Sequence, residues 1–272
     1  MPFTANNTTK IKQFRRDISA VLSCPTLTLG LKYQIDNEWL EELRKHASIP
    51  SYEAYNGNQR LGFYYQWLWL KIINAHSNYE LIAEEIQLQW DNQTVGAIDF
   101  LVKNKKSNEL EHWEVAIKFY LEHQGNWIGP NAKDQLDRKI NRMSCHQLEL
   151  SHHNAYRTQY NSIYGQPAVK RLIMQGRRFN HDAARNHQPS IEINPNSLTG
   201  KWCFQAEAKI MSSNGIQLRE LIKQHWISPP AYEELTAILN TASLVRPTQA
   251  LSPDNQVWFI VPNEWPWHKK TP

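Results

Sequence analysis

The stretch 96–121 constrains this chain most, because it contains two runs of strand-forming residues joined by a polar turn. Both runs are rich in β-branched and aromatic residues, which predicts a β-hairpin. If the turn centres near Lys106 and Ser107, then Asp99 lies opposite Glu114 and the two carboxylates are about 5 Å apart on one face. Because two carboxylates at that distance repel each other, the pattern favours a bound divalent cation.

Strand alternation adds a lysine to this pair of acids. Side chains two residues apart share one face of a strand, so Glu114, Ala116 and Lys118 lie together, with successive members about 7 Å apart. Two alternatives remain open at this point. In the first, Asp99 and Glu114 form a structural pair whose charges and acceptor positions are satisfied by lysine and backbone donors. In the second, Lys118 forms a salt bridge with Glu114 on the same face.

Composition and length set the class of protein. The 272 residues, of which 41% are hydrophobic and 21% charged, suffice for one sizeable core or a core with an appended subdomain. The cysteines, Cys24, Cys145 and Cys203, are far apart, which argues against a zinc site or disulfide framework and favours a reducing cytoplasm. No apolar run approaches membrane-spanning length, so a cytoplasmic protein without membrane contact is expected.

Basic residues are concentrated after the predicted core. The net charge of +4 makes the chain mildly basic, which does not by itself identify a binding partner. Between residues 170 and 185 a single acid, Asp182, accompanies five cations, namely Lys170, Arg171, Arg177, Arg178 and Arg185. This segment is typical of a phosphate-facing surface, although a solvated loop flank has the same composition.

The element order predicts the fold class. Helices are expected over Thr8–Leu22, Asp36–His46 and Leu61–His76, followed by a strand at Ile86–Trp90, the hairpin, a helix over Ala132–Leu150 and a strand over Ala168–Gln175. This helix-strand-strand-strand-helix-strand order predicts an α/β/α layered core over a mixed sheet, with N-terminal helices and a C-terminal extension. The expected division is residues 1–60 as a helical segment, 61–178 as the core and 179–272 as an elaboration or subdomain.

The C-terminal third carries a weaker pattern. A strand is predicted over Lys201–Ala208, helices over Ile216–Trp226 and Ala231–Asn240, and a final strand over Gln256–Val261.

An acid on one strand, followed by an acid and a lysine on the next, resembles the PD-(D/E)XK nuclease superfamily, whose core has the same element order. A closer resemblance is to a bacterial family of domains of unknown function, number eighteen fifty-three, usually placed in that superfamily. Five segments carry it: FYYQWLW from Phe63, GAIDFL from Gly96, HWEVAIKFYL from His112, WIGP from Trp127 and WFIVP from Trp258. The resemblance implies a restriction-endonuclease-like core.

The resemblance also implies a metal site. Asp99 and Glu114 would hold Mg²⁺ or Mn²⁺ with the backbone carbonyl of Val115, and Lys118 would orient a water or stabilise charge on the phosphate. Two departures from the superfamily pattern matter here. Ala116 stands where the superfamily has its lysine, and Gln66, a weaker ligand, stands where it often has a helix glutamate.

The function expected from the resemblance is hydrolysis of phosphodiester bonds in nucleic acid, with DNA favoured over RNA. Lys139, on the helix after the hairpin, is a candidate contact to the phosphate backbone, together with Lys170, Arg171, Arg177 and Arg178. Because of Ala116 and Gln66, the alternative is a member of the fold that binds nucleic acid or a protein without cutting. The sequence leaves the oligomeric state open.

Overall fold

A computed structural model describes residues 7–181 and 191–266 of the chain. The chain divides into two compact units, the first covering residues 1–117 and 140–175 and the second covering residues 118–139 and 176–272. One boundary between the two units falls within the second strand of the hairpin, after residue 117. The division at residues 60 and 178 stays a prediction.

The described residues form a mixed α/β fold with a large mixed sheet, so the predicted fold class is confirmed at that level. The α-helices are α1 (Asn7–Ser23), α2 (Asn37–His46), α3 (Leu61–Ala75), α4 (Leu136–Cys145), α5 (Asn154–Gln159), α6 (Asn161–Tyr164) and α7 (Gln205–Ser213). The strands are β1 (Tyr79–Trp90), β2 (Gln93–Asn104), β3 (Glu109–His123), β4 (Asn126–Ile128), β5 (Val169–Asn180), β6 (Leu198–Phe204), β7 (Arg219–Leu221), β8 (Thr248–Leu251) and β9 (Val257–Val261). Short 3-10 helices cover Gln147–His152, Lys223–Trp226, Tyr232–Glu234 and Thr241–Ser243.

The hairpin of the first unit has the predicted register. β1 pairs with β2 and β2 pairs with β3, both antiparallel, and β5 follows β3 in the strand order. Phe100 is opposite Trp113, and Asn104 is opposite Glu109. The polar turn is therefore centred at Lys106 and Ser107, as expected.

The helices before the hairpin are also confirmed. α2 begins after Asp36, whose carboxylate accepts the backbone N–H of Trp39 at 2.7 Å and so caps the helix. α3 buries a face of residues at helical spacing, namely Tyr65, Leu68, Trp69, Ile72 and Ile73. The Trp69 ring meets the Trp113 ring of β3 edge to face, with centroids 6.1 Å apart.

The helix predicted over Ala132–Leu150 is shorter than expected. α4 covers only Leu136–Cys145, and a 3-10 helix follows over Gln147–His152. The start is delayed because Asn131 Oδ1 accepts the backbone N–H groups of Lys133 and Asp134, which holds these residues in a turn.

The second unit contains a mixed arrangement of strands. β5 and β6 are parallel, as are β6 and β9, whereas β9 with β8 and β8 with β7 are antiparallel. The strand predicted over Lys201–Ala208 ends at Phe204, where α7 begins. Glu207 explains this change, because its carboxylate accepts the Phe204 N–H at 2.7 Å and caps the helix.

Two predicted C-terminal helices are wrong. Ile216–Trp226 forms β7 and a 3-10 helix, and within Ala231–Asn240 only Tyr232–Glu234 is helical, as a 3-10 turn. The guanidinium of Arg219 donates to the carbonyl oxygens of Tyr232 and Leu235, both at 2.8 Å. These bonds replace the helical partners that the two carbonyls would otherwise need.

Among the described helices, none has both the length and the apolar character needed to cross a membrane.

Candidate functional site

Asp99 and Glu114 are tied to each other across β2 and β3. They lie one register step beyond the pair Phe100 and Trp113. The backbone N–H of Asp99 donates to Glu114 Oε1 at 3.3 Å, and the N–H of Val115 donates to Asp99 Oδ2 at 2.9 Å. Glu114 is 2% exposed and Asp99 is half-buried. Each of the two predicted acids thus accepts a backbone N–H from the other's strand.

A buried histidine contacts the carboxylate of Glu114. His112 Nε2 lies 3.0 Å from Glu114 Oε1, and its Nδ1 lies 3.2 Å from the hydroxyl of Ser151. Burial lowers the pKa of the His112 imidazole to about 3, although the nearby charge of Asp99 acts in the opposite direction. The ring is therefore neutral at physiological pH, and its contact with Glu114 is a hydrogen bond from a neutral donor.

The 3-10 helix Gln147–His152 covers the same carboxylate. Gln147 Nε2 lies 3.5 Å from Glu114 Oε2 and 3.5 Å from the carbonyl oxygen of Ala97. Gly96 makes this approach possible, because a Cβ at that position would lie 2.8 Å from Leu150 Cδ1. The glycine of the GAIDFL segment is thus explained by close packing against this helix.

The donor set is chemically suited to Mg²⁺. This ion is commonly held by one or two carboxylates and keeps several waters, which matches two acids on neighbouring strands. No group of three or more His, Cys, Asp or Glu side chains that could hold a metal occurs within residues 7–181 and 191–266. Gln66, the predicted neutral ligand, is half-buried on α3.

Lys118 forms its ion pair with Asp134 in the second unit. The Nζ of Lys118 lies 2.7 Å from Asp134 Oδ2, and the two side chains are 25% and 28% exposed. The turn around Asn131 presents Asp134, and the Gly129 N–H donates to the Asp134 carbonyl oxygen at 2.8 Å. Sequence reasoning missed Asp134; the signal that could have found it is an asparagine followed by a polar turn at residues 131–134.

The backbone of Lys118 is held by a close approach of Gly176. A Cβ added to Gly176 would lie 1.7 Å from the carbonyl oxygen of Lys118, and the φ of this glycine is +145°. A side chain is therefore excluded both by sterics and by backbone conformation. Close by, burial raises the pKa of the Tyr120 phenol, and the negative charge of Asp134 raises it further.

Two of the basic residues predicted to contact phosphate form ion pairs within the first unit. The Nζ of Lys170 donates to Glu149 Oε2 at 2.6 Å, and the lysine side chain is 4% exposed. Arg171 places its guanidinium against both oxygens of the buried Glu111. Both positive charges are thus balanced by carboxylates of the first unit, and a contact of either residue with a phosphate backbone stays a prediction.

The other basic candidates lie in the second unit. Arg177 donates to the Thr199 carbonyl oxygen at 2.8 Å, and Arg178 donates to Ser197 Oγ at 2.6 Å. Burial lowers the pKa of the Arg178 guanidinium, which lies 5.5 Å from the centre of the Trp127 ring. Lys139 is half-buried on α4. Asp182 and Arg185, which completed the basic segment of the sequence, lie outside the described residues.

Comparison with known proteins identified one family. The family model described as "Domain of unknown function (DUF1853)" matches residues 14–264. No curated protein and no solved structure matches the chain.

Proposed function

The chain belongs to the family described as Domain of unknown function (DUF1853), and from this premise we propose that it is a metal-dependent phosphodiesterase acting on nucleic acid, with DNA favoured over RNA. The observation that carries the proposal is the arrangement of Asp99 and Glu114 on adjacent strands, each accepting a backbone N–H from the other strand. The proposal includes membership of the PD-(D/E)XK superfamily, with a restriction-endonuclease-like core.

In this proposal Asp99 and Glu114 are the residues that hold Mg²⁺ or Mn²⁺, and the Val115 carbonyl completes the protein's share of the shell. A bound metal supplies Lewis-acid polarisation of the phosphate and lowers the pKa of a coordinated water. The hydrogen bonds to both carboxylates fix their orientation in advance, so little reorganisation would accompany binding.

Lys118 keeps the role that the superfamily resemblance implies. Its ammonium would balance negative charge developing on the phosphate, or orient the attacking water. The ion pair with Asp134 restricts the rotamers of this long side chain, so that the charge is held in one place. Lys170 and Arg171 have no part in the proposal, because their charges are paired with Glu149 and Glu111.

A second candidate is a protein that binds nucleic acid or a protein partner without cutting. The ion pair between Lys118 and Asp134 favours this second candidate, because a carboxylate 2.7 Å away offsets the positive charge that hydrolysis would use. Ala116 at the superfamily's lysine position and Gln66 at its glutamate position point the same way.

Metal binding is the first test. Calorimetric titration of Mn²⁺ and Mg²⁺ should show binding to the wild-type protein at millimolar concentration, and Asp99→Asn and Glu114→Gln should remove it. Glu109→Gln is a matched control, because Glu109 is an exposed acid on the same strand. A wild type that binds neither ion, or variants that bind as well as the wild type, would refute the catalytic proposal.

Cleavage assays then separate the two candidates. Single-stranded, duplex and branched DNA, with the corresponding RNAs, should be cut by the wild type only when metal is added, and not by Glu114→Gln or Lys118→Ala. Binding of DNA without cutting, by a protein that does bind metal, would favour the second candidate. Activity that survives both substitutions would place the reaction elsewhere or in a contaminant.

A further inference from the structure

A short chain of buried hydrogen-bonding groups ends at the carboxylate of Glu114. The proposed mechanism uses neither of its other two members, His112 and Ser151. His112 and Ser151 are both fully buried, and neither can exchange its hydrogen-bond partners for bulk water. His112 Nε2 lies 3.0 Å from Glu114 Oε1, and Ser151 Oγ lies 3.2 Å from His112 Nδ1. Ser151, His112 and Glu114 thus form a continuous relay from the 3-10 helix to β3.

The proton positions in this chain follow from what each atom can do. An ionised carboxylate only accepts hydrogen bonds, so the ring nitrogen facing Glu114 must be the one that carries the proton. A neutral imidazole then has an unprotonated Nδ1, which accepts the hydroxyl proton of Ser151. This tautomer satisfies both contacts: the Glu114 carboxylate requires it, and the Ser151 hydroxyl, which can donate or accept, holds the ring at Nδ1.

We infer that His112 is a positioning residue for the proposed metal site: its Nε2–H holds the Glu114 carboxylate in the orientation that binds a divalent cation, and the Ser151 hydroxyl at Nδ1 holds the ring in place. The hydrogen bonds in this inference are taken from the geometry. The presence of a metal at this site rests on the proposed function. Groups that orient metal-binding carboxylates typically contribute about 10- to 100-fold to metal affinity.

Two substitutions at His112 give a matched pair. A glutamine amide reaches as far as the imidazole Nε2, so His112→Gln keeps a donor for Glu114. An asparagine amide reaches only as far as Nδ1, so His112→Asn keeps a polar group near Ser151 but removes the donor to Glu114. We expect His112→Asn to lower Mn²⁺ affinity by about 10- to 100-fold, whereas His112→Gln stays close to the wild type.

Nitrogen NMR of labelled histidine in the metal-free wild-type protein provides a readout independent of metal. The His112 ring should carry a proton on Nε2, and Ser151→Ala, which removes the hydrogen bond at Nδ1, should weaken Mn²⁺ binding. Denaturant unfolding of all three variants shows whether each is folded before its affinity is interpreted.

The outcomes separate this inference from the function on which it rests. A ring whose Nε2 carries no proton overturns the inference whether or not metal binds. A wild type that binds Mn²⁺, with His112→Asn and His112→Gln folded and equal in affinity, overturns the inference and leaves the proposed function standing. A wild type that binds no metal overturns both.

Discussion

Two glutamates of β3, Glu111 and Glu114, are buried to a similar degree but are held by different kinds of partner. Glu111 meets the Arg171 guanidinium with both of its oxygens, and it also accepts the Trp113 Nε1–H at 2.7 Å and the Asn104 amide at 3.0 Å. A carboxylate held in this way has its charge balanced and its acceptor positions occupied.

Glu114 is held by donors of another kind. Among its partners are a neutral imidazole and a backbone N–H on Oε1, and an amide 3.5 Å from Oε2. These three contacts orient the carboxylate through uncharged donors. Under the proposed function, burial alone does not distinguish the acid that is structural from the acid that holds the metal, and the difference between their donors does.

The largest expected effect tests the structural half of this comparison. Glu111→Gln leaves the Arg171 guanidinium, which is 21% exposed, without its opposite charge. Breaking a largely buried ion pair in this way should lower the free energy of unfolding by about 3 kcal/mol. Urea unfolding measures this loss. A cost near zero would remove the distinction between the two glutamates.

The converse substitution should affect binding more than stability. Glu114→Gln keeps an acceptor oxygen for the Asp99 N–H and the His112 ring, so the free energy of unfolding should change by about 1 kcal/mol or less. The same protein should lose Mn²⁺ binding. If Glu114→Gln unfolds as readily as Glu111→Gln, then Glu114 is a structural residue and the comparison fails.

A third buried carboxylate, that of Asp17, extends the comparison, because its protonation should make the stability of the fold depend on pH. Asp17 accepts from the Tyr64 hydroxyl and the Gln13 amide, both at 2.8 Å, and burial raises its pKa from 3.8 to about 7. Between these values the folded protein holds a proton that the unfolded chain has released, so stability falls as pH rises through this window.

Asp17→Asn should remove that dependence. Relative to the variant, the wild type should lose up to about 1.4 kcal/mol of unfolding free energy per pH unit between about pH 4 and pH 7. Urea unfolding at a series of pH values measures the slope, with Glu109→Gln as an exposed control. Parallel curves for wild type and Asp17→Asn would show that this carboxyl is not protonated in the folded protein.

The smallest effect is expected at the exposed tip of the same hairpin. Lys106 and Glu42 form an ion pair of 2.9 Å, with both side chains more than half exposed. Because solvent and salt screen such a pair, Lys106→Gln should leave the unfolding free energy unchanged within error. A clear loss that disappears at high salt would mean that exposed pairs matter here as much as the Glu111–Arg171 pair.

The hairpin was predictable because its information is local. Alternation fixes the faces of a strand, and the polar run favoured a turn centred near Lys106 and Ser107. The structure confirms that register, which places Asp99 opposite Glu114. The buried face of α3 and the Asp36 cap of α2 are of the same kind, since each depends on residues within a few positions of one another.

The C-terminal third was less predictable because distant partners decide it. Residues 231–240 have a helical pattern, but the Arg219 guanidinium takes the carbonyls of Tyr232 and Leu235, and the Leu239 N–H donates to the Leu218 carbonyl oxygen. Tertiary bonds thus override local propensity. The start of α7 was a different case, because Glu207 three residues after Phe204 is a local capping signal.

The candidate site shows the same division. Residue types and strand period identified Asp99, Glu114 and Lys118, but the Asp134 partner of Lys118 and the Ser151 partner of His112 are 16 and 39 residues away in sequence. No local pattern records such pairs, since they depend on how a loop and a 3-10 helix pack.

The sequence by itself determined the hairpin, its register and the pair of acids that face each other across it, because side-chain alternation and turn chemistry act over a few residues. Only the tertiary structure decided which charges are balanced, because Arg171 and Lys170 reach Glu111 and Glu149 through packing between segments far apart in the chain. The physical reason is that hydrophobic periodicity is a property of the local sequence, whereas the partner of a buried charge depends on which residues lie near it in space.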